Sequence, residues 1–178
     1  NAANWSKPWV RMRTTLPQGR TVMNVEYINP FIEASQSVLQ MMTGVKPVLG
    51  QVYIKKTPYE SANIAVIVGL TGRIRGQVVI SMTEPSACEI ASAMMGGMPV
   101  PAMDEISKSA ISELGNMIMG NTATLLASRG ISIEITPPSL LIGERMMISP
   151  AHMRTVCVPL NISNTGRFEL DVSLAEDK

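Results

Sequence analysis

The spacing of apolar positions predicts three helices in this chain. Apolar side chains recur at helical spacing directly after Asn29 and Pro30, which are the expected N-cap and first helical residue. Gly44 and Gly130 follow the predicted ends of the first and last helices, as glycine commonly does. The other predicted helices cover Glu84–Met95 and a longer segment from an N-cap at Asp104 to about Ser128.

Alternating and continuous apolar runs between the helices predict antiparallel strands. Thr71-Gly72 separates two of these runs and is typical of a tight hairpin. The predicted class is therefore α+β, with long helices packed on a largely antiparallel sheet. The expected strands are Val48–Lys56, Asn63–Leu70, Arg73–Met82, Ile131–Ile135, Thr155–Ile162 and Gly166–Leu174, with a short one near Leu140–Ile148.

Part of the sequence pattern occurs twice. Thr71-Gly72-Arg73 recurs as Thr165-Gly166-Arg167, and each copy lies between two strand-like runs downstream of a helix. Glu33-x-x-Gln36 on the first helix also resembles Glu113-x-x-Asn116 on the long one. These matches predict a duplicated unit of one helix and antiparallel strands, related by a pseudo-twofold axis.

Composition and charge divide the chain into two parts. Residues 1–22 carry four basic residues, no acid and both tryptophans, without a clear periodicity. We expect them to be a leader outside the fold, either a vector-derived tag or translation from an upstream start. Residues 23–178 form one predicted domain, whose 11 basic and 14 acidic residues give no electrostatic reason to expect a nucleic acid partner. Apolar runs are too short to span a membrane, and the two cysteines are expected to be buried thiols in a reducing compartment.

A polar stripe on the long helix is the candidate functional site. Its residues are spaced at i, i+4, i+7 and i+11 and therefore share one side of a helix: Ser109, Glu113, Asn116 and Gly120. Apolar residues occupy the opposite side, where a core is expected: Ile111, Leu114, Ile118 and Leu125. Such a stripe is often only a solvated face. However, asparagine and glycine are poor choices inside a helix, and Ser109, Ser112 and Gly120 leave a bare surface that another protein's backbone could approach.

Pro138 is expected to lie beside this stripe. The helix rises roughly 18 Å from Asn116 to Ser128, at 1.5 Å per residue. The following strand, Ile131 to Thr136, returns roughly 20 Å if it packs antiparallel to the helix. Pro137-Pro138 would then reach the level of Asn116 and form a rigid turn at the edge of the site.

These residues resemble a known family. Ser109-x3-Glu113-x2-Asn116, followed by 21 residues and Pro138, is similar to the signature of the CheC/CheX/FliY phosphatases of bacterial chemotaxis. The segment Met23–Ala34 resembles the start of CheX-type members in particular. The resemblance implies a cytoplasmic enzyme that dephosphorylates the aspartyl phosphate of a CheY-like response regulator. It also implies a homodimer and one active site. The first helix has Gln36 where the motif has asparagine, so Glu33 and Gln36 form a degenerate second copy.

The resemblance assigns roles that the chemistry of the side chains can explain. A carboxamide both donates and accepts hydrogen bonds, so Asn116 could orient the water that attacks phosphorus, as the glutamine of small GTPases does. Glu113 would pair with a cation of the partner, while Ser109, Ser112 and Gly120 would line the contact and Pro138 would be structural. We expect no metal or cofactor of the chain's own, since the regulator brings Mg²⁺ and a lysine.

Two other functions are compatible with the same sequence. A related domain could bind a response regulator without hydrolysing anything, as an interaction module of the flagellar-switch type. A small-molecule sensor would fit the 14 methionines, although no motif supports it. The intact Glu113 and Asn116 pair favours the enzyme, because a pure adaptor would not need the carboxamide.

Overall fold

The structure is a computed structural model that describes residues 25–162 and 166–175. The predicted leader, the Met23 start of the family resemblance and Thr165 of the second hairpin motif lie outside these residues. The described residues form these helices and strands: α1 Val25–Thr43, β1 Val48–Leu49, β2 Tyr53–Lys55, β3 Tyr59–Glu60, β4 Ile64–Gly72, β5 Gly76–Met82, α2 Glu84–Met94, α3 Glu105–Ser128, β6 Ile133–Ile135, β7 Ser139–Ile142, β8 Met147–Ile148, β9 Met153–Asn161 and β10 Phe168–Ala175. No helix in this part of the chain has the length and apolar character needed to cross a membrane.

The strands pair in a way that confirms the predicted α+β class and shows the expected duplication. The main sheet has the order β1-β9-β10-β5-β4-β6, and all its pairings are antiparallel. In one unit α1 precedes β1 to β5, and in the other α3 precedes β6 to β10. β1 and β2 both pair with β9, just as β6 and β7 both pair with β4, while β5 and β10 meet at the centre. Each unit therefore adds its first two strands to the hairpin of the other unit.

The three helices pack together over one face of the sheet. Ile111, Leu114 and Ile118 are fully buried, as the apolar side of the predicted helix required. Leu125 is only partly buried, and Leu126 takes the corresponding core position near the end of α3. Near its C-terminal end α3 packs against α1. The side of α3 that is buried there therefore differs from the side that is buried at the middle of the helix.

The predicted start of the first helix is wrong. α1 is already helical at Val25, so Asn29 is a buried residue inside it and Pro30 is not its first residue. Ile28 and Phe31 are both buried in the core. Their burial extends the helix upstream of the proline and outweighs the hydrogen bond that proline cannot make. The predicted end is confirmed, since Gly44 follows α1 with φ +74°.

Two strand predictions also need correction. The run Val48–Lys56 is not one strand, because the pairing with β9 shifts by one residue between β1 and β2. Thr71 and Gly72 belong to β4 rather than to the hairpin turn, which lies at residues 73–75. Gly72 pairs with Ile133 of β6, and this extra pairing extends β4 beyond the predicted hairpin.

Candidate functional site

The first turn of α3 is held by a capping box at the predicted N-cap. The Asp104 carboxylate accepts a hydrogen bond from the Ser107 backbone N–H at 2.8 Å, and Ser107 Oγ accepts one from the Asp104 N–H at 2.7 Å. Hydrogen bonds from Ser107 hold the pKa of the Asp104 carboxyl below its usual value. The start of the helix, and with it the side that each later residue occupies, is therefore well defined.

The polar stripe lies on the side of α3 that faces away from the sheet. Ser109, Glu113 and Asn116 are exposed, and Gly120 is partly exposed. Asn116 Nδ2 lies 3.5 Å from Glu113 Oε2, so the carboxamide and the carboxylate are neighbours joined by a weak hydrogen bond. Both groups therefore remain accessible to a docking molecule.

The small residues of this helix differ in what they do. A Cβ added to Gly115 would lie 2.7 Å from Val66 Cγ1, so this glycine lets α3 approach β4 closely. A Cβ added to Gly120 would meet nothing within 4 Å. Ser109 Oγ donates to the Glu105 carbonyl at 3.0 Å, and Ser112 is partly exposed. The fold thus explains Gly115, whereas internal packing does not require Gly120.

The segment that contains Pro138 returns to the middle of α3, as the lengths of the helix and strand predicted. Gly115 lies against Val66 of β4, and Val66 pairs with Leu140 of β7. Pro138 immediately precedes β7 and is partly exposed. The turn before β7 is therefore near the level of Gly115, next to Asn116 in the chain.

The corresponding pair on α1 is occupied by contacts within the protein. Arg129 Nη2 lies 3.2 Å from Glu33 Oε1 and 3.3 Å from Oε2. Gln36 Nε2 donates to the Pro47 carbonyl at 3.1 Å. Glu33 and Gln36 are both partly buried. These contacts hold α1 to its neighbours, so the pair on α1 differs from the exposed pair on α3.

Polar side chains of β2 and β10 form a second group on the face of the sheet opposite the helices. Lys55 Nζ is 2.8 Å from Glu169 Oε2 and 2.9 Å from both carboxylate oxygens of Asp171. Arg167 Nη2 lies 2.7 Å from Glu169 Oε2, and the Tyr59 ring centroid is 4.5 Å from Lys55 Nζ. We refer to Lys55, Glu169 and Asp171 as the buried ion cluster, since each of these side chains is at most 8% exposed.

The pKa values of the two acids in the buried ion cluster are shifted in opposite directions. Burial raises the pKa of Glu169, but hydrogen bonds from Arg167 and Lys55 outweigh it and hold this pKa below its ordinary value. At Asp171 burial is the larger effect and raises the pKa, despite the hydrogen bond from Lys55. Both carboxylates share Lys55, but Glu169 also pairs with Arg167, so Asp171 depends more strongly on Lys55.

One grouping among the described residues has the side-chain types of a metal site. The ligand atoms of Cys157, Glu169 and Asp171 lie within 4.8 Å of one another. Lys55 Nζ already contacts both acids, and burial raises the pKa of the Cys157 thiol to about 12, which keeps it protonated. These residues form a closed ion-pair cluster rather than an open set of ligands. Both cysteines are free, but Cys88 is only partly buried, so the prediction of two buried thiols holds for Cys157 alone.

Sequence reasoning did not identify the buried ion cluster. Glu169 and Asp171 alternate with Leu170 and Val172, so the strand pattern predicts that the acids face solvent. The only available signal was two acids within a strand that is otherwise strongly apolar. Their partner, Lys55, is more than a hundred residues away in the chain.

Comparison with known proteins identifies the family. The family model described as chemotaxis phosphatase CheX matches residues 64–161. This region contains all of α3, including Glu113 and Asn116, and also Pro138. The chain belongs to this CheX family.

Individual CheX relatives match most of the chain. The CheY-P phosphatase CheX of Thermotoga maritima is 29% identical over 152 residues, which are 85% of this chain and 97% of the relative. The crystal structure of CheX from Desulfovibrio desulfuricans superposes with a TM-score of 0.76 at 29% identity, covering 84% of this chain and 99% of that one. The CheX-CheY-BeF3-Mg²⁺ complex from Borrelia burgdorferi gives a TM-score of 0.74 at 30% identity, covering 86% and 100%. The predicted family is confirmed, and the matched region of the family model runs from β4 to β9 and includes α3.

Proposed function

We propose that this CheX-family chain is a phosphatase that hydrolyses the aspartyl phosphate of a CheY-like response regulator. The observation that carries the proposal is the exposed, adjacent pair of Glu113 and Asn116 on α3. It lies in the region that the family model matches, and a relative that is 29% identical bears the name of a CheY-P phosphatase.

In the proposed mechanism the chain supplies the position of one water molecule. An acyl phosphate already has a good leaving group, so the group most needed is a nucleophile in line with phosphorus. The Asn116 carboxamide can accept a hydrogen bond from a water molecule and donate one to it. These hydrogen bonds would orient a lone pair of the water oxygen toward phosphorus. The water oxygen then bonds to phosphorus while the bond from phosphorus to the aspartate oxygen breaks. The aspartate leaves as a carboxylate, and the protons of the water stay on the phosphate product or pass to solvent.

Glu113 is proposed to hold the regulator in register. Its carboxylate is exposed in the free protein, where an ion pair contributes little to binding. Once a regulator covers it, the same carboxylate pairs with a cation of the partner in a desolvated interface, where the pair decides orientation. We propose that this cation is the active-site lysine of the regulator, and that the Mg²⁺ needed for the reaction is bound by the regulator.

We also propose an oligomeric state and a cellular location for the enzyme. The family resemblance supports a homodimer that acts in the cytoplasm on a soluble regulator. Light scattering coupled to size-exclusion chromatography measures the dimer directly, with a mass of twice the 19.2 kDa chain as the expected result.

The release of inorganic phosphate from a phosphorylated response regulator tests the proposed function. The protein is mixed with phosphorylated response regulators, each with Mg²⁺, and phosphate release is compared with the spontaneous rate. Faster release from at least one regulator supports the phosphatase. Tight binding of a regulator without faster release would instead indicate an interaction module, and neither binding nor release would contradict both.

Glu113→Ala should lower kcat/KM for the phosphorylated regulator by at least about 10-fold, since the partner's cation is then buried without its counter-charge. Steady-state rates over a range of regulator concentrations measure the change. Glu33→Ala is the matched control, because it removes the equivalent carboxylate from α1 and breaks its ion pair with Arg129. Equal losses of activity in the two variants would remove Glu113 from the site.

Gly120→Ala should raise stability and lower activity at the same time. Alanine is favoured over glycine inside a helix by up to about 1 kcal/mol, and its methyl group meets nothing within 4 Å in the free protein. On the docking surface the same methyl group holds the regulator's backbone away from α3. Thermal melts and kcat/KM are measured together, with Asn121→Ala, an exposed neighbour on another side of α3, as the control. An unchanged kcat/KM in Gly120→Ala would show that the regulator does not approach this position.

A further inference from the structure

Ile106 is a large apolar side chain with no evident role in the fold. It is 66% exposed in the first turn of α3. Among the described residues it is absent from both apolar clusters of the protein. The capping box of Asp104 and Ser107 holds this turn without it. Isoleucine is also a poorer helix former than alanine, leucine or glutamate, so helix propensity does not favour it here.

The position of Ile106 connects it to the polar stripe. Seven residues separate it from Glu113, which places the two side chains about 20° apart around the helix and about 10 Å apart along it. Asn116 lies about 15 Å from Ile106 along the same axis. One exposed apolar side chain is ordinary on a protein surface, but this one extends the side of α3 that carries the proposed catalytic pair.

An interface of standard size centred on Glu113 and Asn116 would include Ile106. Such an interface buries about 800 Å² of each partner, which corresponds to a flat disc with a radius of roughly 16 Å. Ile106 lies about 10 Å and about 15 Å from the two residues along the helix, which is within that radius.

We propose that Ile106 is a specificity-determining residue that packs against an apolar side chain of the response regulator. This inference rests on the proposed phosphatase function and adds a contact outside the reacting groups. The contact is the same before and during hydrolysis, because neither apolar group changes its charge in the reaction. It therefore contributes uniform binding, which affects KM and not kcat.

The test compares Ile106→Ala with Ile54→Ala, which removes an isoleucine of similar exposure, 61%, from β2. Ile106→Ala should raise KM for the phosphorylated regulator about 10-fold, the effect of losing part of a buried isoleucine, with kcat within twofold of wild type. Ile106→Leu should restore most of the affinity, and Ile54→Ala should change neither constant. Binding of each variant to the beryllofluoride-activated regulator measures the same loss without turnover.

Three results would overturn the proposal. An unchanged KM in Ile106→Ala would show that Ile106 does not contact the regulator. Equal changes of KM in Ile106→Ala and Ile54→Ala would indicate a general effect of surface polarity. A variant that loses its dimer mass places Ile106 between copies of this chain instead. These failures are distinct from failure of the proposed function, in which the wild-type protein itself releases no phosphate from any regulator.

Discussion

Asn116→Ala should slow hydrolysis of the regulator's aspartyl phosphate by about 100-fold, the usual cost of losing one positioned hydrogen-bonding group at a reaction centre. The loss should appear in kcat, because the carboxamide is needed when the water attacks and not when the regulator docks. Binding to a beryllofluoride-activated regulator should therefore stay close to wild type. Rapid-quench measurements of the phosphorylated regulator give the rate, and fluorescence anisotropy gives the binding.

The duplicated unit provides the control for this prediction. Gln36 occupies the corresponding place on α1, where its amide donates to the Pro47 carbonyl. Gln36→Ala should leave kcat and KM unchanged. If Asn116→Ala were as active as Gln36→Ala, the water-positioning role of Asn116 would be excluded even if the chain proved to be a phosphatase.

Lys55→Ala should lower the free energy of unfolding by about 3–5 kcal/mol, because it removes the cation from two buried carboxylates. Lys55 Nζ lies 2.8 Å from Glu169 and 2.9 Å from Asp171, and neither acid has more than 8% of its side chain exposed. In this variant Glu169 keeps its ion pair with Arg167, whereas Asp171 loses its ion pair with Lys55. Urea denaturation at neutral pH measures the loss.

Neighbouring substitutions separate this electrostatic effect from a general loss of packing. Lys56→Ala removes the adjacent, exposed lysine and should change stability very little. Adding Asp171→Asn to Lys55→Ala should recover part of the loss, since the unpaired charge is then absent. A Lys55→Ala protein as stable as Lys56→Ala would show that the buried ion cluster does not stabilise the fold.

Local signals were sufficient to predict the site helix. Asp104 at the N-cap, the polar stripe and Gly130 beyond the end are all features of neighbouring residues, and the structure contains each of them. The start of α1 was predicted wrongly for the opposite reason. Asn29 and Pro30 are good local signals for a helix start, but burial of Ile28 in the core overrides them.

Long-range features could not be predicted from the pattern of one segment. The repeated motifs indicated a duplication, but not that β1 and β2 pair with β9 of the other unit. The buried ion cluster depends on the pairing of β2 with β9, because this pairing brings Lys55 beside the acids of β10. The alternation of acids with Leu170 and Val172 is typical of a strand with one face in solvent, but Asp171 is fully buried.

Packing distinguishes the residues of α3 that the fold requires from those that it does not. Both glycines of α3 are unfavourable for a helix, and the sequence placed Gly120 alone in the polar stripe. Close contact with Val66 explains Gly115, whereas no contact among the described residues requires a glycine at position 120. The exposed, weakly bonded Glu113 and Asn116 also differ from Glu33 and Gln36, which are held by contacts inside the protein.

The most direct test of the central claim is the loss of labelled phosphate from the aspartate of a response regulator, measured with this protein well below the regulator's concentration. We predict that the wild-type protein removes many phosphoryl groups per molecule, and that with Asn116→Ala the rate falls close to that of spontaneous hydrolysis. Decay at the spontaneous rate with the wild-type protein, for every regulator that binds it, would contradict the account.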